Sequence, residues 1–167
     1  KRQYNWIKNN ATRTITLTLR GTADATTSCA IRMNTHGIVL VYDPIGNYTQ
    51  EFLGSYFDSA HPITVKRGTL KFSGDTLCQE VPAIYVKDGA CFDLDVTSTN
   101  ALKKVTKLEL GRGASLKVAA TAMTPFTMKP VMTMGIGAKL VLPAGAAIEV
   151  GDCFAPDGHV LDSDTYT

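Results

Sequence analysis

The chain has 167 residues, of which 44% are apolar and 19% charged, with 17 basic against 15 acidic side chains and a net charge of +2. That apolar content excludes a disordered chain, and one domain of this length can bury a sizeable core. No long basic run offers an electrostatic footprint for nucleic acid, and no apolar run approaches the ~20 residues of a membrane span.

The opening Lys1-Arg2-Gln3-Tyr4-Asn5-Trp6 carries neither an initiator methionine nor a signal peptide. The sequence is therefore expected to begin after a removed segment or inside a longer protein. Ile15-Leu17-Leu19 reads as one strand and Ile38-Leu40-Tyr42 as another, with Ala30-Ile31-Met33 between them. The stretch from Asp43 to Pro62 is rich in Gly, Asn, Ser and Tyr and lacks clean alternation, so it is expected to be a long excursion from the strands. Residues 1–62 thus form a less regular N-terminal part, and residues 63–167 a regular one.

The regular part repeats. Ile63-Val65-Gly68, Ile84-Val86-Gly89, Leu108-Leu110-Gly113 and Met132-Met134-Gly137 share one template, with glycines 21, 24 and 24 residues apart. After each glycine a second alternating strand follows: Leu70 and Phe72, then Phe92, Leu94 and Val96, then Leu116 and Val118, then Leu140 and Leu142. The last three sets sit at the same offset from their glycine, and the first is displaced by one residue. A period of two within each strand, with a glycine corner between strands, predicts stacked β-rungs rather than helices. One unit cannot bury its apolar edge alone, whereas a stack buries a continuous core. The fold class read from the sequence is all-β, a parallel β-helix or β-solenoid.

Charges support that stacking. The residues before the four glycines read Arg67, Asp88, Arg112, Ile136, and the outward positions of the second strands read Lys71, Asp93, Lys117, Val141. Both give basic–acidic–basic ladders, the order that favours neighbouring rungs. The leucine-rich string Leu-x-x-Leu-x-Leu is absent, which sets aside that rival with a similar period.

The C-terminal stretch Leu140-Val141-Leu142-Pro143-Ala144-Gly145-Ala146-Ala147-Ile148-Glu149-Val150, then Asp157-Gly158-His159-Val160-Leu161 and Thr165-Tyr166-Thr167, closes the chain. From about residue 60 onward, the chain resembles the repeats of bacterial autotransporter-like surface β-helix proteins. Asp164 stands where their ending carries glycine before Thr-Tyr-Thr. The resemblance implies a right-handed β-helix, an extracellular or cell-surface location, and a structural or adhesive role. It implies no shared catalytic set, and no residue pattern in the chain leads to the expectation of a cofactor.

Candidate chemistry is sparse. Tyr42, Tyr48, Phe52, Tyr56 and Phe57 flank the expected excursion and offer a sugar-stacking platform, set against the ordinary role of covering a core. Asp93 and Asp95 alternate with Phe92 and Leu94, so both carboxylates are expected to face solvent. Such a pair suits a polysaccharide-cleaving face, although Lys71 and Lys117 as neighbours make an ion ladder the simpler account. The expected ligand-binding residues are Tyr42, Tyr48, Phe52, Tyr56, Asp93 and Asp95, with glycans or a host surface as partners. Asp152, Asp157, Asp162 and Asp164 crowd the C-terminus without a calcium-loop motif and read as a polar turn. No Cys-x-x-Cys pair exists, and His36, His61 and His159 are scattered, so no metal site is expected. Cys29, Cys78, Cys91 and Cys153 read as one or two disulfides of open pairing, or as buried thiols. The sequons at Asn10-Ala11-Thr12 and Asn47-Tyr48-Thr49 would stay unmodified in the bacterial protein that the resemblance implies. Finally, the Asp157-Gly158 turn is expected to fold a hairpin over the last rung, and the Tyr4–Trp6 region to shield the other end.

Overall fold

The computed structural model describes every residue except 1–4, 33–35, 121–124, 145–147 and 162–167. The described residues wind through about six turns, each contributing to three parallel sheets. Sheet A holds β1 (Asn5–Lys8), β4 (Cys29–Arg32), β7 (Tyr56–Asp58) and β10 (Leu77–Cys78). Its line continues through single bridges from Cys78 to Leu102 and from Leu102 to Phe126. Sheet B holds β2 (Ile15–Leu19), β5 (Ile38–Tyr42), β8 (Ile63–Val65), β11 (Ala83–Val86), β13 (Lys107–Leu110), β15 (Val131–Met134) and β17 (Cys153–Phe154). Sheet C holds β3 (Ala25–Thr27), β6 (Thr49–Leu53), β9 (Thr69–Gly74), β12 (Cys91–Val96), β14 (Ser115–Val118) and β16 (Lys139–Val141).

Alternation in the sequence becomes columns in space. On sheet B, Leu40, Ile63, Ile84, Leu108 and Met132 stack in register, and beside them run Tyr42, Val65, Val86, Leu110 and Met134. On sheet C, Leu70, Phe92, Leu116 and Leu140 form one column and Phe52, Phe72, Leu94 and Val118 another. Ile84, Val86, Leu94, Leu108, Leu110, Leu116 and Val118 are buried as the repeat requires. Leu140 and Leu142 are only half-buried, and among the described residues no strand of sheet C lies beyond β16. Between sheets A and C, Phe57 of sheet A stacks on Phe72 of sheet C at 4.8 Å between ring centroids. Phe52 and Phe92 meet Phe72 edge-on, at 6.0 and 5.1 Å. These are the offset and perpendicular arrangements that ring quadrupoles favour.

The corners explain the glycines. Gly89, Gly113 and Gly137 have φ of 70°, 63° and 70°, a left-handed turn that a Cβ would strain. They occupy equivalent positions between sheets B and C. Gly68 turns the same corner with φ 65°, but only three residues separate β8 from β9 where four separate β11 from β12. That shorter corner is the origin of the one-residue displacement seen in the sequence.

The expected excursion from Asp43 to Pro62 is corrected by the structure. It contains β6 and β7, paired in parallel with β9 and β4, so it is the remainder of a turn. Its alternation is masked because the corner between these strands is held by buried hydroxyls instead of apolar residues. Ser55 Oγ donates to the Thr27 carbonyl and accepts from the Cys29 amide, while Thr76 Oγ1 accepts from the Ser55 amide and donates to the Phe52 carbonyl. At the next corner Ser59 Oγ donates to Ile38 O at 2.6 Å. Buried Asn9 donates to the Arg13, His36 and Gly37 carbonyls. Hydroxyls and amides at these bends satisfy main-chain groups that leave the ladders.

Trp6 does not shield the N-terminal end. It lies on the outer face of sheet A opposite Ala30, is 45% exposed, and carries the Arg32 guanidinium 4.7 Å from its ring centroid. Ile7, in register with core residue Ile31, is the residue pointing along the interior there. Tyr4 lies outside the described residues. All four cysteines are free thiols, so the disulfide alternative is set aside. The expected C-terminal hairpin is present: Phe154 bridges antiparallel to Val160, with Gly158 at φ 88° in the turn.

Candidate functional site

A row of charged side chains lines the outer face of sheet C. Register places Thr26, Glu51, Lys71, Asp93, Lys117 and Val141 in one outward row. Glu51 accepts hydrogen bonds from Thr26 Oγ1 at 2.9 Å and Ser73 Oγ at 2.7 Å. Those two bonds are the main reason its carboxyl titrates below the usual range. Lys71 Nζ lies 3.1 Å from Asp95 and 3.6 Å from Glu51. The bond to Asp95 raises the lysine pKa. Burial pushes the Asp93 carboxyl up, against the pull of Lys71 and Lys117.

The sequence-derived residues separate into two groups. Asp93 and Asp95 both lie on this face, as their alternation required. Tyr42 and Phe52 are 2% exposed and belong to the core, so neither offers a ring to a ligand. The Tyr42 hydroxyl instead donates to the Tyr48 carbonyl at 2.7 Å, pinning the turn before β6. Tyr48 and Tyr56 are half-buried, and Tyr56 sits on sheet A, a different wall of the turn from the sheet C carboxylates. The aromatic platform is therefore not assembled, because strand alternation turns its members to different faces.

The ladder expected just before the corner glycines, Arg67, Asp88 and Arg112, finds other partners. Arg67 pairs with Asp43 at 2.6 Å, and Asp88 accepts from the Arg112 main-chain amide at 3.0 Å. Near the C-terminus, Asp157 accepts from the His159 amide and pairs with its ring, a polar turn. Asp162 and Asp164 lie outside the described residues. Among the described residues no three His, Cys, Asp or Glu side chains converge as a metal site would need.

Sheet B carries a surface that motif reading overlooked. Tyr85 faces outward between buried Ile84 and Val86, one rung from Glu109. Lys87 and Lys107 place their ammonium groups 5.2 and 5.3 Å from the Tyr85 ring centroid and 3.4 Å from Glu109. The repeat alignment that yields the core contains this signal, since it sets Tyr85, Glu109 and Thr133 at one outward position.

These features define a three-sided parallel β-solenoid, a β-helix repeat protein. No protein-family model matches the chain, and no curated protein or solved structure matches it significantly. No helix among the described residues is long and apolar enough to cross a membrane.

Proposed function

We propose that the chain is a non-enzymatic structural or adhesive segment of a secreted or cell-surface bacterial protein. The observation that carries this reading is how the sheet C charges are used. Glu51, Lys71 and Asp95 engage one another and neighbouring hydroxyls between turns, so they hold rungs together along a continuous stack. The bacterial surface location rests on the resemblance of residues from about 60 to 167. Fractionation of the source bacterium, with protease shaving of intact cells, tests it. The protein is expected in the shaved or secreted fraction, and recovery in the cytosol alone overturns the reading.

A carbohydrate-cleaving role has one observation in its favour. Glu51 and Asp93 are pushed in opposite directions, the split that separates a general acid from a base. Lys71 stands between them in the register, however, and pairs with Glu51 where a scissile bond would have to lie. A reducing-sugar assay over a panel of polysaccharides is expected to show no release.

A further inference from the structure

The outer face of sheet B brings aromatic, charged and hydroxyl side chains into one row. Tyr85, Glu109, Thr133 and Phe154 occupy successive positions of one outward row. Two half-buried aromatic rings thus bracket two polar side chains. Three rung spacings separate the rings, roughly 14 Å at the usual distance between strands. Beside the middle of the row lies a hollow of about 470 Å³, lined by Glu109, Thr133, Asp88, Arg112, Ile136 and Pro156. Pro156, from the C-terminal hairpin, walls the hollow together with Gly111 and Gly135 of the stacked turns. This volume falls within the range of small-ligand sites, about 300–1,000 Å³.

We infer that this row is a binding site for a linear acidic glycan laid along the solenoid axis. Aromatic rings at both ends provide apolar faces for the C–H faces of sugar rings. Glu109 and Thr133 lie between them to accept hydrogen bonds from sugar hydroxyls. The acid preference comes from the Tyr85 end, where Lys87 and Lys107 beside the ring, with Arg112 at the corner, outnumber the two carboxylates there, Glu109 and Asp88. A carboxylate or sulfate on the sugar replaces part of the Glu109 pairing there. The spacing fits a short run of linked rings and not a single sugar. This deepens the adhesive reading, but it is measured on purified protein and does not depend on where the protein resides.

Isothermal titration and affinity electrophoresis test it with three probes: an oligogalacturonate, a heparin-derived oligosaccharide and neutral chitohexaose. At least one acidic probe is expected to bind and to outcompete the neutral one. Tyr85→Ala and Phe154→Ala should each weaken binding about tenfold, the factor equivalent to ~1.4 kcal/mol of lost contact. Phe154→Tyr, which keeps the ring, should retain binding, and Trp6→Ala, on a different sheet, should change nothing. Melting curves confirm that each variant is folded. Absence of binding to both acidic probes, equal binding of chitohexaose, or undiminished binding by folded Tyr85→Ala each overturns the inference. A cytosolic location with intact binding would sink only the surface assignment.

Discussion

Gly135 packs directly over Gly111. A Cβ at residue 135 would stand 2.6 Å from the Gly111 carbonyl carbon and 2.7 Å from the Arg112 amide nitrogen. One turn earlier, a Cβ at Gly111 would meet the Asp88 amide nitrogen at 2.8 Å. Here glycine is required by the closeness of stacked backbones. At Gly89, Gly113 and Gly137, by contrast, an added Cβ would meet nothing within 4 Å, and only the positive φ demands glycine.

The two kinds of glycine should respond differently to alanine. Gly89→Ala is expected to cost about 1–2 kcal/mol, the penalty of a left-handed residue carrying Cβ. Gly135→Ala is expected to cost more, because rigid backbone must separate to admit the methyl. Urea melts compare them directly. Equal losses would show that the corner spreads freely and that the close approach carries no penalty.

Leu110 is 1% exposed in the sheet B column between Val86 and Met134. Its replacement by alanine should destabilise by roughly 2–5 kcal/mol, since rungs pinned above and below cannot collapse around the void. Lys117→Ala, on the exposed face of the neighbouring sheet, should stay within about 0.5 kcal/mol. A small loss at Leu110 would show that the column is not close-packed.

Carboxylates of opposite tendency give opposite pH signatures. Hydrogen bonding from Arg67 holds Asp43 below its ordinary range. Its stabilisation is therefore present above the unfolded carboxylate pKa, near 4, and is lost as pH falls through the lower folded value. Burial raises Asp93, so the folded state prefers that group neutral and gains stability as pH falls through its elevated folded value. At neutral pH, Asp43→Asn should lower the denaturation midpoint and Asp93→Asn should raise it. Midpoints shifting in the same direction would contradict the assigned environments.

The thiols should differ in reactivity. Cys78 is fully buried in the line of Phe57 and Leu102, and desolvation pushes its pKa far up. Cys153, on the last turn, is half-buried. Iodoacetamide on the native protein should label Cys153 well before Cys78, with the order read by peptide mass mapping. Equal rates would mean that the interior opens as readily as the end.

Particular residues show what was legible in the sequence. Ile84, Val86, Leu108 and Leu110 announced their columns because strand alternation is a purely local pattern. The Lys71–Asp93–Lys117 row followed from the same register, and the structure keeps it. The turn through β6 and β7 was hidden because its corners rely on Ser55, Ser59 and Thr76, whose hydroxyls resemble loop composition until their main-chain partners are known. Tyr42 and Phe52 looked like platform residues because aromatic rings serve cores and surfaces alike. Which of the two applies depends on strand phase, and β6 showed no clear phase. Arg67 turns instead to Asp43 on the preceding turn, a partner that the glycine spacing did not announce.

The C-terminal hairpin closes one edge of the stack. β17 pairs on one side with β15, and the returning segment covers its other side. The Leu161 amide donates to the Cys153 carbonyl at 2.8 Å and the Ala155 amide to the His159 carbonyl at 2.9 Å. Without this return, β17 would present a row of unpaired main-chain groups at the end of a seven-stranded parallel sheet, a template for another chain. The half-buried Leu140, Leu142 and Ile148 nearby would add apolar surface to that edge. Deleting Pro156 to Thr167 leaves β17 in place and removes its cover. The truncated protein should keep its far-ultraviolet β signature yet form larger species with rising concentration, read by light scattering. Lysine at Val160, which is 57% exposed, should leave the intact protein monodisperse because the return strand still covers the edge. A truncated chain that stays monodisperse and melts at the unchanged temperature would show that the hairpin is an ornament of the last turn, with the edge protected by something else.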